Sequence, residues 1–206
     1  MTPDTKAGFV HRYEPATEEG HTPLLLLHGT GGDENDLLPL GRMLSPHAAL
    51  LSPRGRVLEH GMPRFFRRLA EGVFDHDDVR READALAGFL AAAREGCGMP
   101  PPLAVGFSNG ANIAAAVLYR RPEVLAGAVL MRAMVPLEEA PAQPLDGKPV
   151  LILSGNADTL MGQDNPARLA ATLKAAGAEV EHRVLRAGHG LTQTDVALAK
   201  AWLAGK

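Results

Sequence analysis

Leu103-Ala104-Val105-Gly106-Phe107-Ser108-Asn109-Gly110-Ala111 is the stretch on which the fold turns. An apolar run of strand length passes straight into Gly-x-Ser-x-Gly, and a segment of small helix-forming residues follows at once. The five-residue pattern alone is weak, because glycine and serine are common. The strand, sharp turn and helix around it make it specific. A serine held on such a turn takes a strained backbone conformation. Side chains two positions before and after it would collide, so Gly106 and Gly110 relieve the crowding. Ala111 and the alanines at 114–116 let the helix lie close to the sheet. Its N-terminus then turns free amides and partial positive charge towards the serine. An ordinary Gly-Ser turn with a capping serine would need none of this context.

Outward from this stretch, apolar runs of strand length alternate with longer segments of helical period, the mark of a parallel sheet covered by helices. Leu24–Leu27 and residues 48–51 read as strands before the serine, and residues 126–131, 150–153 and 180–185 as strands after it. Residues 8–13 read as an antiparallel edge strand. Val79, Ala83, Leu86 and Leu90 share one face of a helix over residues 78–95. Asn109–Arg120 is helical and stops before Pro122. Asn165-Pro166 reads as a cap and first-turn pair opening a helix with Leu169 and Leu173 inward. A last helix carries Val196, Ala199, Trp202 and Leu203. With no linker in sight, residues 1–206 read as one domain.

A nucleophilic serine needs a base, and the base needs an orienting group. Asp158 follows the strand at 150–153 in Ser154-Gly155-Asn156-Ala157-Asp158, and His189 follows the strand at 180–185 in Ala187-Gly188-His189-Gly190. The order Ser, Asp, His is that of a serine hydrolase on a parallel sheet. Asp164 is the nearby competitor of Asp158, and His182, inside a strand, reads as structural. Donors for a tetrahedral oxyanion are expected from the backbone amides of Thr30, in the turn His28-Gly29-Thr30-Gly31-Gly32, and of Asn109. That turn is not a phosphate loop: no Lys-Ser/Thr follows it, and no G-x-G-x-x-G is present. His28 reads as shaping the turn.

Bulk properties exclude other classes. The chain has 206 residues, 46% hydrophobic and 22% charged, with a formal net charge of −3. That charge gives no broad attraction to nucleic acid or anionic membrane, and no stretch approaches the ~20 apolar residues of a bilayer span. One cysteine, Cys97, forms no internal disulfide, and residues 1–10 do not resemble a leader. A cytoplasmic protein is expected. Arg54, Arg56, Arg64, Arg67 and Arg68 crowd residues 52–77, which read as a long loop near the carboxyl edge of the sheet. No metal site is expected: Asp75, His76, Asp77 and Asp78 are adjacent in sequence and suit a helix start better than an ion.

The chain resembles the bacterial carboxylesterase/phospholipase group of the α/β-hydrolases, relatives of acyl-protein thioesterases and dienelactone hydrolases. The resemblance is carried by Leu27-His28-Gly29-Thr30-Gly31-Gly32-Asp33-Glu34 with Asp36-Leu37-Leu38-Pro39-Leu40, by Ser52-Pro53-Arg54-Gly55, by Arg64-Phe65-Phe66-Arg67-Arg68, by Gly106-Phe107-Ser108-Asn109-Gly110-Ala111, and by Gly188-His189-Gly190-Leu191. It implies a mostly parallel sheet of about seven strands flanked by helices, with no large cap domain. It also implies a Ser108-Asp158-His189 triad, Thr30 and Asn109 amides for the oxyanion, no cofactor, and homodimers in parts of the group. Ser108 stands where dienelactone hydrolases carry cysteine. Two stretches depart from the group's pattern, Met131-Arg132-Ala133-Met134 and Thr159-Leu160-Met161-Gly162, and both are expected to face the acyl pocket. Met134, Leu160 and Met161 are the candidate pocket residues.

The expected activity is hydrolysis of small to medium acyl esters through an acyl-enzyme, on a small-molecule substrate, without nucleic acid or stable membrane insertion. A lysophospholipase or acyl-thioesterase would use the same machinery. A non-catalytic small-molecule-binding homologue is the rival of a different class.

Overall fold

The computed structural model describes residues 8–162 and 164–206; the leader reading of residues 1–10 falls largely outside them. The strands are β1 (His11–Glu14), β2 (Leu24–Leu27), β3 (Leu50–Pro53), β4 (Val57–Glu59), β5 (Met62–Arg64), β6 (Arg68–Ala70), β7 (Val73–Phe74), β8 (Leu103–Phe107), β9 (Gly127–Met131), β10 (Pro149–Gly155) and β11 (Glu179–Leu185). The helices are α1 (Leu38–Leu44), α2 (His76–Cys97), α3 (Asn109–Arg120), α4 (Asn165–Ala175) and α5 (Gln193–Leu203). Among the described residues, no helix is long and apolar enough to cross a membrane.

Seven strands form the central sheet in the order β1-β3-β2-β8-β9-β10-β11. All neighbours run parallel except β1, which pairs antiparallel with β3, His11 facing Pro53 and Glu14 facing Leu50. Strands buried on both faces read as continuous apolar runs, and the four leucines of β2 show why. Leu25 and Leu27 join the core under α2, α3 and α4, whereas Leu24 and Leu26 join the core under α1 and α5. Each such burial contributes about 1.5–3 kcal/mol. Helix α3 is buried from Asn109 to Tyr119, and its alanines allow the close approach to β8 that the site needs.

Two features differ from the sequence expectation. Helix α1 carries no clear signal in the sequence. It has seven residues, no side-chain cap at Leu37 and Pro39 in its first turn, so neither length nor capping marks it. Residues 52–77 are not one irregular loop: β4 pairs with β5, and β6 with β7, as two small antiparallel hairpins. One smaller reading also shifts. Asn165 is the first residue of α4 and Asp164 its cap position; the Asn165 Oδ1 instead accepts the Val135 amide at 2.6 Å.

The chain turns from β2 to β3 on one side and crosses to β8 on the other. Ligands of open parallel sheets settle at such a switch point, beyond the carboxyl ends of the strands. Thr30 follows β2 there, and Ser108 follows β8.

Candidate active site

Ser108 sits between β8 and α3 with φ 53° and ψ −115°, a left-handed conformation that a serine rarely takes. The two flanking glycines have separate steric reasons. A Cβ on Gly106 would lie 2.5 Å from the Gly110 carbonyl oxygen and 2.7 Å from the Ala111 Cα, while one on Gly110 would fall on the Leu27 carbonyl at the end of β2. The serine amide is tied to the Met131 carbonyl at 2.9 Å, so the turn is anchored to β9.

Asp158 and His189 extend from the next two strands. The Asn156 amide donates to the Leu185 carbonyl at 2.9 Å and the Ala157 amide to the Ala187 carbonyl at 3.0 Å. These bonds stitch the two loops together. Ser108 Oγ lies 2.9 Å from His189 Nε2, and His189 Nδ1 lies 2.8 Å from Asp158 Oδ2. An ionised Asp158 accepts the Nδ1 proton, which leaves Nε2 as the acceptor for the serine hydroxyl. The second Asp158 oxygen accepts the Leu160 amide at 3.0 Å. Its carboxylate is nearly fully buried while the imidazole is 28% exposed, so the carboxylate is held dry and the imidazole reaches the cavity.

The expected oxyanion donors flank the serine. Among the described residues neither the Thr30 amide nor the Asn109 amide donates to a protein acceptor. Their loops are braced instead by the chain around residues 63–65. Asn109 Oδ1 accepts the Phe65 amide at 2.7 Å, the Gly31 amide donates to the Pro63 carbonyl at 3.0 Å, and Arg64 Nη1 donates to Thr30 Oγ1 at 2.6 Å. His28 shapes its turn as expected, with Nδ1 2.7 Å from the Gly29 carbonyl and Nε2 accepting the Gly55 amide at 2.9 Å. Burial pushes its pKa down, against the pull of the Gly29 carbonyl and nearby carboxylates, which suits this neutral tautomer.

A cavity of about 320 Å³ opens over Ser108 and His189, and Met134, Leu160 and Met161 line it together with Thr30, Asn109 and Phe107. A larger one of about 610 Å³ surrounds β1 and shares no lining residue with it. The other candidates lie apart from the triad. Asp164 precedes α4, and His182 Nε2 is 2.8 Å from Ser154 Oγ on the neighbouring strand. Asp75 caps α2 by accepting the Asp78 amide at 3.1 Å, while Asp78 pairs with Arg81 and Asp77 with Arg80.

Arg132 has a structural role as well. It borders the cavity, and its side chain is completely buried. Nε donates to the Gly188 carbonyl at 2.9 Å and Nη2 to the Gly190 carbonyl at 3.1 Å, one on each side of His189. The remaining N–H groups reach the Leu153 carbonyl at 3.2 Å and both oxygens of Asp195 at 2.7 and 2.9 Å. All five guanidinium donors are thus used. Nothing in the run Met131-Arg132-Ala133 announces this role. Asp195 was open to sequence reading, because Thr192-x-x-Asp195 has capping-box spacing, and the box is formed.

A scan against protein-family models finds no match. The chain is 44% identical over 194 residues to MhqD of Bacillus subtilis (strain 168), whose name places it among hydrolases; the match spans 93% of this chain and 96% of MhqD. The Bacillus cereus carboxylesterase structure superposes with a TM-score of 0.94 at 41% identity, over 98% of this chain and 96% of that one. A carboxylesterase from Mesorhizobium loti gives 0.93 at 34% identity, over 99% and 98%.

Proposed function

The chain belongs to the bacterial carboxylesterase family of the α/β-hydrolases, and from that premise we propose that this ester-hydrolysing enzyme works through an acyl-enzyme formed on Ser108. The observation that carries the reading is the unbroken relay from Ser108 Oγ through His189 to Asp158, at 2.9 and 2.8 Å.

In the first half-reaction His189 Nε2 takes the serine proton as Oγ attacks the acyl carbon. The Nδ1 proton stays on the imidazolium, steadied by the Asp158 carboxylate. Charge gathers on the former carbonyl oxygen, and the Thr30 and Asn109 amides receive it; each such donor typically contributes about 100- to 1,000-fold in rate. Collapse expels the alcohol, which leaves with the Nε2 proton. Water then enters, gives a proton to the same nitrogen, and releases the carboxylic acid and free serine. Met134, Leu160 and Met161 supply an apolar wall for small to medium acyl chains, in keeping with a cavity of about 320 Å³. The same reading takes the protein as cytoplasmic, on the strength of its single cysteine, and as acting on small-molecule esters.

Hydrolysis of p-nitrophenyl butyrate by the wild type and by Ser108→Ala tests it, with the folding of both followed by circular dichroism. The expected result is a loss of at least about 1,000-fold in kcat in a normally folded variant. Equal rates in the two proteins would overturn the assignment of Ser108.

A further inference from the structure

The arginines of the stretch Arg64-Phe65-Phe66-Arg67-Arg68 divide into two groups. Arg67 faces outwards and pairs with Asp75. Arg64 and Arg68 both line the cavity that holds Ser108, one at the end of β5 and the other at the start of β6.

These two guanidiniums share a single carboxylate. Arg68 Nε donates to Glu59 Oε1 at 2.8 Å, and Arg64 Nε stands 3.1 Å from Glu59 Oε2 as an ion-pair contact. Arg64 is held further by its bonds to Thr30 Oγ1 and the Phe66 carbonyl, and its side chain is only 4% exposed. Arg68 has no such constraint. Among the described residues its Nη1 and Nη2 groups have no acceptor, and neither has Arg64 Nη2. Two positive charges against one negative leave a surplus at the cavity wall. Glu71 also borders the cavity, but it is exposed and paired with neither arginine, so solvent screens it. Arg132, the third arginine on this wall, is already neutralised by Asp195. Burial pushes the Arg64 pKa down and Arg68 pushes it further the same way, against the opposing pull of Glu59. An arriving anion would relieve that repulsion.

We propose that Arg64 and Arg68 form an anion subsite of the esterase cavity, and that the preferred substrates are esters that also carry a free carboxylate. This rests on the serine-esterase reading above and narrows it. Arg64, fixed against the Thr30 loop, supplies position. Arg68, with a free planar fork, supplies the paired N–H donors that match a carboxylate. The scissile carbonyl lies at Ser108, and the charged end lies under the β6–β7 hairpin.

Two matched pairs of esters locate the charge. Monomethyl glutarate against methyl 5-methylhexanoate places a carboxylate, or its isopropyl isostere, on the acyl side. O-acetylglycolate against isobutyl acetate places the same contrast on the alcohol side. In the wild type kcat/KM favours the charged member of at least one pair by about tenfold or more, the size of one charge-assisted hydrogen bond. Arg68→Met lowers that ratio about tenfold, chiefly through KM, and Arg68→Glu reverses the preference. Free glutarate inhibits the wild type competitively, and less so at high salt or in Arg68→Met. A wild-type preference for both neutral esters, or a ratio unchanged in both Arg68 variants, overturns the subsite. Failure of the parent reading is distinct: ester hydrolysis that survives Ser108→Ala overturns the nucleophile whatever the charge preference.

Discussion

Arg132 shows how one buried residue can hold the loop on either side of His189. It sits in the left-handed region at φ 57°, a strain that persists only where surrounding contacts over-determine it. Those contacts are the five N–H bonds that bind the carbonyls before and after His189 and the carboxylate of Asp195. Asp195 Oδ2 also accepts the Thr192 amide at 2.8 Å and the Thr192 hydroxyl at 2.7 Å. Removing one partner would strand a buried charge, so Arg132→Met should cost about 3–5 kcal/mol of stability in urea unfolding. Arg132→Lys separates positioning from stability. It keeps the charge but cannot span both carbonyls. We expect kcat to fall about 10- to 100-fold with a smaller change in KM, because the imidazole loses its alignment. A lysine variant with wild-type kcat would show that the guanidinium does not position His189. Ser108, Asp158 and His189 were legible as a set at this scale, since each follows a strand, and the structure brings the three side chains together. Arg132 was not legible, because Gly188, Gly190 and Asp195 lie more than 50 positions away in the chain.

At the scale of elements, legibility followed length and punctuation. Helix α2 runs over His76–Cys97, longer at each end than its apolar period alone indicated. Its start is set by Asp75, whose side chain accepts the Asp78 amide, and its end by Gly98 at φ 63°. The helix supplies Val79, Ala83, Leu86 and Leu90 to the core, so its first turn has consequences beyond itself. Asp75→Ala should destabilise the protein by about 1 kcal/mol, with Asp75→Asn escaping most of that loss. Urea midpoints for the two variants check this, and equal losses in both would assign the effect to the Arg67 ion pair instead of the cap. Helix α1 and the hairpins β4–β5 and β6–β7 carry no comparable signal. Their strands are two or three residues long, too short for any period, and they are held by what lies beneath. Phe65 and Phe66, buried between the hairpins, anchor them to the core.

Over the whole molecule, several titratable groups tie stability to pH in one direction. Burial pushes the pKa of Asp195 up, but bonds from Arg132 and Thr192 outweigh it and hold the carboxyl below its ordinary value. Glu59 is held low by its bond from Arg68, and His28 and His182 are lowered by burial. In each case the unfolded chain binds protons more readily than the folded one, so stability rises with pH through these titrations. Urea midpoints should therefore decline from about pH 6.5 as the histidines titrate, and more steeply below about pH 4 as the carboxylates do. A midpoint that rises on acidification would contradict these assignments. The sequence by itself determined the alternation of strands and helices, the strained turn at Ser108, and the order in which Ser108, Asp158 and His189 follow their strands. Those features reside in local spacing, in glycines that backbone crowding demands, and in apolar runs buried on both sheet faces. Only the tertiary structure decided what the arginines do: Arg132 is drawn inwards onto the histidine loop, while Arg64 and Arg68 meet at one carboxylate over the cavity. A charged side chain's role depends on which distant partner comes within hydrogen-bonding reach and how much water is excluded there, and neither is written in its neighbours along the chain.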